Sequence, residues 1–112
     1  MSNLSAYLMV AGAILTEVAG TLSLRASDGL TRPVPSVIVV LAYLAAFVFL
    51  AQALRSLQVG PVYAVWSGVG TVGTFVGGAA LFGEQVRPAT VAGAALILIG
   101  VVVVYLGGPA TH

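Results

Sequence analysis

Four apolar runs, each long enough to cross a bilayer, follow one another with almost nothing polar between them. They cover about residues 4–24, 34–54, 59–82 and 89–106. A membrane-spanning helix needs about 20 predominantly apolar residues, so four of them consume most of this chain. None of the runs keeps a polar face for water, as the helices of a soluble bundle do. Nor do they alternate in polarity like the strands of a membrane barrel. Composition agrees: 6% of the 112 residues are charged, against about 25% in an ordinary soluble domain. Charge and turn chemistry fill the breaks. Arg25, Asp28, Gly29, Arg32 and Pro33 follow the first run, and Arg55 and Gly60-Pro61 separate the second from the third. Gly83 to Pro88 closes the third, and Gly107-Gly108-Pro109 stops the fourth. The expected architecture is one all-α integral membrane domain over residues 1–112, with four transmembrane helices.

This architecture leaves no room for a soluble catalytic domain. The chain has no cysteine, which excludes disulfides, thiolate metal sites and cysteine nucleophiles. Its one histidine, His112, is the last residue. Glu17 and Glu84 are the only glutamates, and Glu84 reads as a solvated loop charge beside Arg87. Asp28 and Arg32 read as loop or helix-end charges. The chain is therefore not expected to be an enzyme, nor to hold a metal or cofactor. A net charge of +1 without a basic patch gives no reason to expect a nucleic-acid partner. The N-terminus lacks the basic stretch of a signal peptide, so the first helix is expected to stay in the mature protein. Arg25, Arg32 and Arg87 fall in loops on one side and Arg55 on the other. The positive-inside rule then favours one orientation only weakly and permits insertion both ways.

Glu17 is the single charge in the first span. A carboxylate at the centre of a membrane helix costs on the order of 3 kcal/mol on insertion scales. Such residues usually serve as proton sites, ion sites or counter-charges for a substrate. At helical spacing Val10, Ala13, Ile14, Gly20, Thr21 and Leu24 share its face. Gly20 and Ala13 are small enough to admit a helix or ligand beside the carboxyl, and Thr21 brings a hydroxyl one turn away. The chain has no lysine, and its four arginines lie at or near loops. A fixed salt bridge inside the membrane therefore has no evident partner, although a buried hydrogen bond to another helix remains the structural alternative. Two copies of the chain would enclose a chamber more readily than one. Mutual repulsion and loss of hydration both favour the protonated form of a carboxyl in such a chamber. An arriving cation would then displace a proton.

The third span carries Tyr63, Trp66, Ser67, Gly68 and Gly70, and the second carries Tyr43 and Phe47 one turn apart. Aromatic faces attract organic cations, and tyrosine hydroxyls are suited to a carboxylate. Ordinary packing or an interfacial aromatic belt accounts for the same residues equally well, and for Tyr7 the belt is the better reading. Gly68 and Gly70 allow either bending or close packing of the helix. In the fourth span Ala89, Gly93 and Gly100 make a stripe of small residues that suits contact with a second copy.

Taken in register, several segments resemble the small multidrug resistance family, and within it the exporters of quaternary cations. They are AILTEVAGT at 13–21, SDGLTRPVPS at 27–36, VYAVWSGVG at 62–70 and GAALILIG at 93–100. The likeness runs essentially end to end. It implies a multi-pass protein of the bacterial inner membrane that works as an antiparallel dimer, either with itself or with a homologous sister subunit. It also implies proton-coupled antiport of hydrophobic cations. Glu17 falls on the family's proton and substrate carboxylate, and Tyr43, Phe47, Tyr63 and Trp66 fall on its aromatic pocket. Gly20, Thr21 and Ser67 match pocket-lining positions, Gly68 and Gly70 a hinge, and Gly93 and Gly100 the dimer contact. Val34 and Val48 stand where such exporters often carry tryptophan, and Arg25 stands at a frequent lysine. A sister subgroup exports guanidinium compounds and tends to carry tryptophan near Gly20. Gly20-Thr21 resembles the drug-exporting subgroup more. Guanidinium export, or a non-transporting partner subunit of a heteromeric assembly, are the alternative expectations.

Overall fold

The computed structural model describes residues 2–107, so His112, Gly108 and Pro109 lie outside the described residues. Four helices make up the fold: α1 (Asn3–Ala26), α2 (Pro33–Ala53), α3 (Val59–Phe82) and α4 (Pro88–Leu106). All four are long and apolar enough to cross a membrane, and there is no strand among the described residues.

Local chemistry sets the helix ends. Ser2 caps α1 by accepting a 3.1 Å hydrogen bond from the Ser5 backbone N–H, which satisfies one of the orphan donors of a helix start. Pro33 and Pro88 open α2 and α4, where a missing N–H costs nothing. Gly83 ends α3 in the left-handed region at φ 66°, a conformation glycine adopts without a Cβ penalty. The turn between α1 and α2 is held by the fully buried Ser27. Its hydroxyl donates to the Leu24 carbonyl (2.7 Å) and accepts from the Leu30 N–H (2.9 Å). Those bonds support three successive left-handed residues, Asp28, Gly29 and Leu30.

α1 sits between α2 and α3, while α4 packs mainly on α3 and reaches α1 through the Tyr7 and Tyr105 rings, 6.1 Å apart. The result is a slab about 47 × 34 × 18 Å rather than a closed bundle. Close approach rests on small residues, as is usual where lipid supplies no hydrophobic drive between helices. Ala6 and Ala13 of α1 and Ala46 and Ala53 of α2 are fully buried or nearly so. On the α1–α3 seam Gly70, Gly73 and Gly77 receive Glu17, Val18 and Leu22. Gly68 faces the opposite neighbour: a Cβ there would stand 2.8 Å from a methyl of Val101 on α4. The core proper is small. Val10, Val62 and Ala53 form its centre, with Ile14, Leu50, Leu57 and Val65 packed around it. No residue of α4 is buried, and Leu96, Ile99 and Val103 are mostly exposed. Such a surface needs lipid or another protein against it.

Glu84 is a loop charge more than half exposed, as expected, and it meets Arg25 rather than standing beside Arg87 alone. Its carboxylate lies 3.9 Å from the Arg25 guanidinium at the end of α1, and Arg25 also covers the Phe82 ring at 5.2 Å. The fold brings the first and third loops to one side, so charges distant in sequence meet there. Both partners are more than half exposed, and ion pairs of that kind contribute little.

Candidate functional site

Glu17 lies midway along α1, half-buried, with its side chain directed at α3. A Cβ built on Gly70 would stand 2.9 Å from Glu17 Oε2, so the carboxylate rests against bare α3 backbone. The other oxygen, Oε1, accepts a 3.0 Å hydrogen bond from the Thr21 hydroxyl. Thr21 Oγ1 is also 2.7 Å from the Tyr43 hydroxyl of α2. A threonine hydroxyl has one proton. When Thr21 gives it to an ionised Glu17, Tyr43 must donate to Thr21. Both donors then point along one chain toward the charge, and each bond polarises the next. Tyr43 is held in place by Gly20, where a Cβ would stand 2.9 Å from its ring.

A cavity of about 390 Å³ opens beside the carboxylate. Glu17 and Thr21 form its α1 wall, and Tyr63, Trp66, Ser67 and Gly70 belong to its α3 wall. Tyr63 meets Trp66 edge-on with ring centroids 5.6 Å apart. Phe47 of α2 also approaches Trp66, with ring centroids 6.1 Å apart. An anion beside aromatic faces is an environment for an organic cation. Among the described residues, no arginine is paired with Glu17. The Trp66 indole N–H is buried without a hydrogen-bond partner among the described residues, which costs about 1–3 kcal/mol until something accepts from it.

Of the residues singled out from sequence, Glu17, Thr21, Tyr63, Trp66, Ser67 and Gly70 therefore meet at one cavity. Tyr43, Gly20 and Phe47 stand one contact behind them. Val10, Ala13 and Ile14 lie elsewhere: Val10 and Ala13 are buried among the helices, and Ile14 packs on the Val10 cluster. α1 is wedged between two helices, so the face drawn through Glu17 includes residues committed to packing. Gly68 lies at the α3–α4 contact, and Gly93 and Gly100 have open space around them within the subunit. Sequence reasoning missed Thr71, Thr74 and Phe75, which also line the cavity. The signal was present: with Ser67, the two threonines make a hydroxyl row at i, i+4 and i+7, one helical face.

The fold and this site define a multi-pass membrane protein with a lone carboxylate facing an aromatic cavity inside its helices. Residues 5–97 match the model of the Small Multidrug Resistance protein family. Similar proteins include a multidrug transporter of Pseudomonas aeruginosa, 42% identical over 89% of this chain and 91% of its own length. A guanidinium exporter of Escherichia coli is 42% identical over 85% of this chain and 89% of its own. One of Citrobacter freundii is 39% identical over the same shares. The chain belongs to the small multidrug resistance family of membrane transporters.

Proposed function

We propose that this chain is a proton-coupled antiporter that exports hydrophobic organic cations, quaternary ammonium or aromatic, across the bacterial inner membrane. The observation that carries the reading is the Glu17 carboxylate beside the Tyr63–Trp66 wall with, among the described residues, no cationic side chain paired to it. A proton and a cation compete for that charge. Binding of a cation releases the proton, and reprotonation from the acidic side expels the cation. Because one charge serves both, neither crosses readily without the other. The aromatic walls supply affinity, and the carboxylate supplies selection for positive charge.

The working unit in this proposal is an antiparallel dimer of the chain with itself or with a sister subunit, sharing a pair of Glu17 carboxyls. Three features support it: the slab shape of the subunit, the unburied α4, and the buried Trp66 N–H left without an acceptor. Within the dimer, Gly93 and Gly100 serve the contact along α4, and Gly68 and Gly70 the reshaping of α3. Guanidinium export is the second reading, favoured by relatives of that name at the same 42% identity as the multidrug transporter. A partner subunit that does not itself transport would leave the carboxylate and its open cavity without a task.

Reconstitution into vesicles tests the proposal. An imposed pH gradient should drive uptake of tetraphenylphosphonium by the wild type. Glu17→Gln should abolish it, and Glu17→Asp should retain exchange with a displaced pH profile. Normal transport by Glu17→Gln would rule the mechanism out.

A further inference from the structure

We infer that Ser67, Thr71 and Thr74 form an acceptor row that selects, among cations bound at Glu17, those carrying N–H groups. The inference deepens the proposed function and rests on it. Each hydroxyl has its proton committed to the backbone one turn earlier. Ser67 donates to the Tyr63 carbonyl (2.7 Å), Thr71 to the Ser67 carbonyl (2.6 Å) and Thr74 to the Gly70 carbonyl (2.8 Å). A hydroxyl oxygen that donates once still has lone pairs to accept with. All three residues line the cavity that contains Glu17. The cavity therefore offers acceptors along α3 in addition to its carboxylate.

The placement matches the charge. Gly70, the residue against which Glu17 Oε2 rests, lies within the row, between Ser67 and Thr71. At 1.5 Å rise per residue the row extends roughly 10 Å along the helix, so a cation seated at Glu17 has hydroxyl oxygens on both sides. Oε1 accepts one hydrogen bond from Thr21, and an ionised carboxylate keeps further lone pairs for a ligand. A guanidinium, substituted guanidinium or protonated amine has several N–H donors to distribute over this set. A permethylated cation has none, and it gains only charge attraction and aromatic contact. Valine in place of threonine removes the oxygen with little change of volume. Serine keeps the oxygen.

Trp66 is the one tryptophan of the chain and lines the same cavity, so its fluorescence reads occupancy without requiring transport. The detergent-solubilised full chain is titrated at constant ionic strength with guanidinium and with hexamethylguanidinium. These two cations share a planar CN3 core and differ in size and in having six N–H groups or none. In Thr71→Val/Thr74→Val, guanidinium affinity should fall roughly tenfold or more, the usual scale for hydrogen bonds to a charged group. Hexamethylguanidinium should bind that variant about as it binds the wild type, which also certifies its fold. Thr71→Ser/Thr74→Ser should keep guanidinium affinity. Unchanged guanidinium binding by the valine variant, or equal weakening of both cations, overturns the acceptor row. Glu17→Gln binding both cations like the wild type is a separate result: it overturns the Glu17 site itself, and the row with it.

Discussion

Glu17 is placed by three residues that do different things. Gly70 gives it room, Thr21 holds one oxygen, and Tyr43 holds Thr21. Gly70→Ala puts a methyl 2.9 Å from the carboxylate, closer than side-chain carbons normally stand. The carboxyl must rotate away, because the other side of the contact is α3 backbone. Cation affinity, measured by Trp66 fluorescence, should fall at least tenfold (about 1.4 kcal/mol) while helix content by circular dichroism stays at the wild-type level. Tyr43→Phe removes the outer donor and keeps the ring against Gly20. It should weaken the hold on an ionised Glu17 by about 1 kcal/mol and displace the pH profile of exchange without abolishing it. Arg25→Ala removes an exposed ion pair and a ring contact at a helix end. Thermal stability should change by less than about 1 kcal/mol, and exchange should not change.

Glycines facing different neighbours make the helices individual. Gly68→Ala would drive a methyl into Val101 and Ile97 of α4, both β-branched and stiff at χ1. Overpacking of that kind costs about 1–3 kcal/mol, so a lowered melting temperature in detergent is expected. The existence and type of all four helices were legible in the sequence, because apolar length and punctuation by proline, glycine and arginine decide them. Glu17 was legible for a related reason: one charge in a lipid-length run is conspicuous. Rotation of the helices was much less legible. When nearly every side chain is apolar, periodicity no longer tells a lipid-facing stripe from a packed one, and Val10 and Ala13 shared a face with Glu17 without reaching its cavity. The hydroxyl row of α3 was overlooked beside the louder aromatic pattern. The Arg25–Glu84 pair depends on loops that only the tertiary fold brings together.

Taken together, the described helices form an open slab rather than a closed bundle. It is about 18 Å thick in its short dimension, its cavity is open, and α4 offers no buried side of its own. A Cβ added at Gly93 or Gly100 would meet nothing within 4 Å beyond its own helix. A side chain at either position therefore starts into open space, and Gly93→Leu/Gly100→Leu tests the proposed contact with a second copy. The double variant should lose cross-linked dimer in membranes while keeping its helix content. Retention of a full-strength dimer would move the contact away from α4. The proposed sharing of Glu17 between protons and bulky cations does not depend on how copies of the chain assemble. The most direct measurement is proton release when tetraphenylphosphonium is added to the solubilised protein in unbuffered solution, beside Glu17→Gln. Release from the wild type and none from the variant is the predicted result. Cation binding without proton release, or equal release from both proteins, would contradict it.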